Sequence, residues 1–99
     1  MGHIYDIDEL QSRLSPVFSA NGVKSAVLFG SYAKGSAVAQ SDIDILVDSG
    51  LRGLRFFGLI EHIREALDGK EADVFDVTEV INGSSIEREI ERTGVKIYG

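Results

Sequence analysis

Residues 27–48 read Val-Leu-Phe-Gly-Ser-Tyr-Ala-Lys-Gly-Ser-Ala-Val-Ala-Gln-Ser-Asp-Ile-Asp-Ile-Leu-Val-Asp. An apolar strand (Ala26, Val27, Leu28, Phe29) breaks at Gly30-Ser31, a turn of small residues follows, and a second apolar strand opens with Asp42 and Asp44. Successive side chains of a strand point to opposite faces. Asp42 and Asp44 therefore share one face, and Ile43, Ile45 and Val47 take the other. Two carboxylates side by side at the mouth of an apolar strand repel each other and resist desolvation, which water or an intervening cation relieves. Gly30 lets a ligand approach the backbone, and a helix start just beyond it aims free amides at an anion. An anion cradle beside a carboxylate pair suits a metal-bound nucleoside triphosphate.

Outward from this stretch, the pattern alternates helix and strand. Residues 6–20 carry Ile7, Leu10, Leu14, Val17 and Phe18 at helical spacing. Pro16 is expected to kink that helix or restart it near Ser15, and Asn21-Gly22 to stop it. Val23 to Phe29 is the first strand, apolar enough for burial on both faces. Ser31 to Ala37 is a short helical turn and Ile43 to Val47 the second strand, followed by a flexible, mildly basic loop at residues 49–53. Leu54 to Leu67 is a helix with Phe57, Ile60, Ile63 and Leu67 on its inner side, stopped by Asp68-Gly69. Ala72 to Val77 is a third strand. Ser84 and Glu87 have the spacing of a capping box that starts a helix to Arg92, Thr93-Gly94 closes it, and Val95 to Tyr98 adds a last strand. The order α-β-α-β-α-β-α-β makes this an α/β chain, one domain over residues 1–99, with no repeat or linker.

Composition narrows the function. Hydrophobic residues make up 43% of 99 residues, which supports one modest core rather than disorder. No apolar run approaches the ~20 residues of a membrane span, and the opening Met-Gly-His-Ile-Tyr-Asp lacks the basic and apolar regions of a secretory signal. The absence of cysteine excludes disulfides, thiolate catalysis and cysteine-held zinc, and fits a reducing cytoplasm. A net charge of −6 argues against broad, non-specific adhesion to nucleic acid. It leaves room for a nucleotide in one metal-filled cleft.

Each motif has a plainer reading. Gly30 and Gly35 have the internal spacing of a P-loop, but Ser36-Ala37 stands where Lys-Ser/Thr is required, so Ser31 could simply cap a helix. An EF-hand is disfavoured because Leu46 and Val47 replace a polar ligand and the glycine. Asp73 places a third carboxylate in an apolar strand, where aspartate is depleted. Asp76 lies on the opposite face, and parity alone leaves open which of the two meets Asp42. Three carboxylates around one cleft would bind one or two divalent cations for phosphoryl or nucleotidyl transfer. Lys34 is placed to reach a triphosphate or is simply solvated; Arg52 and Arg55 share that choice. Ser41 either contacts the nucleotide or caps its turn. His3 and His62 have no matching ligands, and residues 87–92 (E-R-E-I-E-R) read as a solvated helix face with Ile86 and Ile90 inward.

Taken together, F-G-S-Y-A-K-G (29–35), S-D-I-D-I-L-V-D (41–48) and A-D-V-F-D-V (72–77) resemble the minimal nucleotidyltransferase (MNT) domains of the DNA polymerase beta superfamily, and the likeness extends over the flanking helices. The resemblance implies a palm-like α+β fold, a small mixed sheet flanked by helices. It implies Asp42, Asp44 and Asp73 as ligands of Mg²⁺ (two ions), with Asp73 helping to activate the attacking hydroxyl and Asp76 as the fallback. Gly30 and Ser31, with Lys34 and Ser41, would bind the nucleotide. Domains this short pair with HEPN toxins, so the implied reaction is AMP transfer from ATP to a toxin tyrosine by an antitoxin. Because the chain has no C-terminal helical domain to grip the acceptor, a partner in a homo- or hetero-oligomer is expected to complete the site. Two rivals remain at this point: an antitoxin that masks its toxin sterically, and a two-metal nuclease, which leaves Gly30-Ser31 unexplained.

Overall fold

Four strands form one mixed sheet in the order β3-β2-β1-β4: β1 (Ser25–Phe29), β2 (Ile43–Asp48), β3 (Ala72–Asp76) and β4 (Val95–Tyr98). The computed structural model describes residues 3–99; Met1 and Gly2, the first residues of the opening read as lacking a signal, lie outside the described residues. β1 runs antiparallel to both β2 and β4, whereas β2 and β3 are parallel. A parallel pair needs a crossover, and α3 (Leu54–Ala66) supplies it.

The core lies under one face of the sheet. Ala26, Leu28, Ile43, Ile45, Val47, Ala72 and Ile97 are buried there against Leu10, Leu14 and Phe18 of α1 (Ile7–Ala20) and Leu59 and Ile63 of α3. The strict alternation of β2, buried at Ile43, Ile45 and Val47, leaves Asp44, Leu46 and Asp48 on the second face. α4 (Ser85–Thr93) packs on β1 from that second side, where Gly94 approaches Val27. The short α2 (Ser31–Lys34) stands between β1 and the loop to β2.

Several boundaries depart from the expectations. α1 runs unbroken through Pro16 instead of restarting near Ser15. Pro16 is exposed, and a single missing backbone hydrogen bond on the solvent side is outweighed by the buried Leu10, Leu14 and Phe18 stripe. Asp6 and Glu9 cap the start of α1 reciprocally. Strand β1 begins at Ser25, because Val23 donates its amide to Phe18 O in closing the helix. Phe57 is exposed rather than inward; the buried stripe of α3 is Leu59 and Ile63, continued by Leu67, with Phe56 half-buried. Two adjacent phenylalanines fit two helical templates one residue apart, and packing selects Phe56. Val77 leaves the third strand, since Asp76 caps a 3₁₀ turn at Val77–Glu79. Ser84 caps α4 as expected, but Glu87 reaches back to the amide of Gly83 instead of that of Ser84.

Candidate active site at the Gly30 turn

The strand register brings the acidic residues together. Asp44 pairs with Phe29, the last residue of β1, on one side and with Asp73 of β3 on the other. Paired residues of neighbouring strands share a face about 4.8 Å apart, so the carboxylates of Asp44 and Asp73 stand side by side on the face opposite the core. Asp42, immediately before β2, is exposed and Asp44 is half-buried. Gly30 follows Phe29 directly with φ 77° and ψ −153°. A Cβ at Gly30 would stand 2.6 Å from Asp44 Oδ2. The turn therefore leaves no room for a side chain beside the carboxylate, and its conformation strongly favours glycine.

Burial, with the carboxylates of Asp73, Asp42 and Glu89 adding to it, pushes Asp44 up to about 6 from 3.8. A proton or a cation at this position is thus favoured electrostatically. Asp76 behaves differently. It lies in β3 opposite Val47, on the core side and at the far end of the strand. Its carboxylate accepts from the amide and hydroxyl of Ser49 (3.1 and 2.6 Å) and from those of Thr78 (3.1 and 2.7 Å). Burial alone would raise it, but these four donors outweigh burial and hold it below the usual carboxylate range. The two aspartates that parity left undecided thus have separate surroundings: Asp73 beside Asp44, Asp76 as the anchor of the loop after β2.

The remaining residues divide the same way. Ser31 is the first residue of α2 rather than its cap; Gly30 holds the cap position, and no side chain caps that end. Ser41 accepts the Val38 amide at 3.0 Å and closes the turn before Asp42. Lys34 is exposed and lines a hollow of about 540 Å³ with Tyr5, Ile7, Tyr32 and Ala37. Arg52 and Arg55 follow the C-terminal end of β2, and five residues of strand, roughly 16 Å, separate Ser49 from Asp44. That distance argues against their reaching a ligand at Gly30. His3 hydrogen-bonds Glu9, and His62 hydrogen-bonds Asn21 on the exposed face of α3.

Sequence reasoning missed two contributors from α4. Thr93 accepts the Gly30 amide at 2.8 Å and donates to Glu89 O at 2.7 Å. Glu89, read as part of a solvated face, is charge-coupled to Asp44 while its carboxylate pairs with Arg92. Nothing local marks either residue, since a threonine before glycine at a helix end looks like a stop signal. Among the described residues, no group of three or more His, Asp or Glu is arranged to hold a metal ion as the chain stands. The donor chemistry nonetheless fits a hard divalent cation: carboxylate oxygens, a half-buried Asp44 destabilised by its neighbours, and a turn without side chain beside it.

Comparison with known proteins gives the family. Residues 12–99 match the model of the family described as polymerase beta, nucleotidyltransferase. A Methanocaldococcus jannaschii protein, MJ0435, whose name assigns it provisionally as a protein adenylyltransferase, is 39% identical over 71 residues, covering 70% of this chain and 75% of that protein. Among solved structures, a chain of a toxin–antitoxin complex with AMP-PNP superposes with a TM-score of 0.73 at 24% identity, over 90% of this chain and 73% of that one. A chain from the complex of a tri-AMPylated Shewanella oneidensis HEPN toxin with an MNT antitoxin gives 0.68 at 21% identity, over 94% and 72%. At these identities the structural matches establish the fold, a mixed sheet with flanking helices as the MNT resemblance implies. Fold and family together define a nucleotide-transferring enzyme. The chain belongs to the polymerase beta nucleotidyltransferase family.

Proposed function

We propose that this chain transfers AMP from ATP to a tyrosine hydroxyl of a HEPN-family toxin, and so acts as an antitoxin. On this reading residues 1–99 are one nucleotidyltransferase domain working in a reducing cytoplasm. The observation that carries the reading is the closeness of the Gly30 turn to Asp44, which leaves no room for a Cβ, with Asp44 itself beside Asp73. The names of the relatives, a protein adenylyltransferase and toxin–antitoxin complexes with AMP-PNP or an AMPylated toxin, support the donor and the partner.

Asp42, Asp44 and Asp73 would hold Mg²⁺, which when bound neutralises triphosphate charge and polarises the phosphoryl oxygens. Gly30 and Ser31 bring backbone and hydroxyl against the phosphates, with Lys34 and Ser41 as the remaining polar groups assigned to the nucleotide. Asp73, on the exposed strand edge, accepts the proton of the incoming hydroxyl. The hydroxyl oxygen bonds to the α-phosphorus, the bond to the β-phosphate oxygen breaks, and pyrophosphate leaves. Holding these groups in line is the chain's own share of the catalysis.

The test uses ATP labelled at the α-phosphate, Mg²⁺, and a HEPN toxin co-purified with this chain. Label on a toxin tyrosine, lost in Asp42→Asn and Asp44→Asn variants that still form the complex, is the expected result. Neutralisation of the toxin by those variants without transfer would replace the reading with steric masking.

A further inference from the structure

We propose that Thr93 is a positioning residue: it ties the last turn of α4 to the Gly30–Ser31 turn and so sets where a nucleotide's phosphates lie relative to Asp44. The inference rests on the nucleotidyl-transfer reading above and adds to it a residue outside the three sequence motifs.

A glycine with positive φ has no side chain to hold it, and an unrestrained glycine samples more backbone states than any other residue. Gly30 is the position where that freedom would matter most, because the carboxylate of Asp44 fills the space where its Cβ would stand. Its peptide groups are nonetheless held on both sides. Its carbonyl accepts the Lys34 amide at 3.1 Å, and its amide donates to Thr93 Oγ1 at 2.8 Å. A threonine hydroxyl has one proton and two lone pairs. Here the proton goes to Glu89 O at 2.7 Å, which turns a lone pair toward Gly30. Both Gly30 and Thr93 are buried, so no water competes for the bond. The restraint comes from 63 residues away in sequence. The close approach of Gly94 to Val27 Cγ1, where a Cβ would stand at 3.0 Å, brings the end of α4 down onto β1. One consequence is specific: the Gly30 amide is already engaged, so backbone amide donation to a phosphate falls to Ser31 and the residues after it, with Gly30 contributing only the room for close approach.

The test measures Mg-ATP binding by calorimetry and Gly30 amide exchange by NMR in the wild-type chain, Thr93→Ser and Thr93→Val, well below the melting temperature. Thr93→Ser keeps the hydroxyl and should bind within about threefold of wild type, while Thr93→Val should bind about tenfold or more weakly, a misplacement effect. Gly30 exchange should be slow in wild type and Thr93→Ser, with or without Mg-ATP, and fast in Thr93→Val. A folded Thr93→Val with wild-type affinity overturns the proposal. If Thr93→Val fails to fold, wild type decides: a Gly30 amide exchanging as fast as the exposed Gly50 or Gly53 overturns it equally, and a slow one retained in Thr93→Ser supports it. Failure of the wild-type chain to bind Mg-ATP overturns the functional reading itself, and is distinguishable because Gly30 protection is read independently.

Discussion

Gly30→Ala probes the contact on which the site is built. At φ 77° and ψ −153° the residue occupies a region almost confined to glycine, and an alanine held there costs about 1–3 kcal/mol. The new Cβ also meets Asp44 Oδ2 at 2.6 Å, with the Asp44 Cγ at 3.5 Å. Swinging the Asp44 carboxylate about 30° aside to make room costs about 0.5–1.5 kcal/mol. The sum centres near 3 kcal/mol, a substantial share of the total stability of a small domain. At about 4–8 °C per kcal/mol it lowers Tm by about 12–24 °C. Asp44→Ala separates the two terms, because it removes the oxygen and leaves Cβ, 3.8 Å from the added methyl, as the nearest atom of residue 44. In that background the cost of Gly30→Ala should fall by about 1 kcal/mol. Urea unfolding followed by circular dichroism, without Mg²⁺, measures all four corners of the cycle. Equal costs in the two backgrounds, or a Gly30→Ala cost below about 1 kcal/mol, would refute the account of why glycine stands here.

Three further outcomes follow from the same geometry. Asp44 in the folded chain titrates near 6, above its ordinary 3.8. Its contribution to stability is therefore fully present below 3.8 and lost as pH rises through about 6. Asp44→Asn should remove that part of the pH dependence and raise stability at pH 7.5 by about 1 kcal/mol after allowance for its half-exposed position, as thermal melts without Mg²⁺ at acid and neutral pH would show. Asp76→Asn should cost about 2–4 kcal/mol by disrupting four hydrogen bonds while sparing AMP transfer below its melting temperature. Asp73→Asn should do the reverse, abolishing transfer at a stability cost under about 0.5 kcal/mol. In α3, Leu59→Ala should cost about 2–5 kcal/mol and Phe57→Ala under about 1 kcal/mol, which chemical denaturation distinguishes directly.

Most of the architecture was legible because it is written in local periodicities. The order of helices and strands, the alternation of β2 and the stops at Gly22 and Gly69 all follow from neighbours in sequence. The misreadings have equally definite causes. Phe56 and Phe57 satisfied the same helical template in adjacent frames, and only packing separates them. The choice between Asp73 and Asp76 is not among them: parity separates the two, the MNT resemblance favours Asp73, and the pairing of β2 with β3 sets Asp73 beside Asp44. Arg52 and Arg55 looked near the motif in sequence, yet β2 carries them to the opposite end of the sheet. The bond from Gly30 to Thr93 joins residues whose own surroundings in sequence explain them fully as a turn and a helix stop, so no local pattern announces it.

The candidate site also departs from the rest of the chain in what its residues do for stability. Asp76, held by Ser49 and Thr78, and Tyr5, with its 2.9 Å bond to Leu67 O, are buried polar groups with partners, although the Tyr32 hydroxyl and Arg64 Nε are buried without one. Around Asp44 the arrangement runs the other way: burial, three neighbouring carboxylates and a backbone conformation open only to glycine all act at one strand end. Strain and repulsion persist in a fold only where surrounding structure over-determines them. Here the fully buried Ile43 and Ile45 on either side of Asp44, and the hold of Thr93 on Gly30, do so. A bound cation would offset the carboxylate repulsion, and the absence of a side chain at Gly30 leaves the approach to Asp44 open. The free energy withheld from folding at Asp44 is then available for binding, which is why the Asp44→Asn variant is expected to gain stability and lose transfer together.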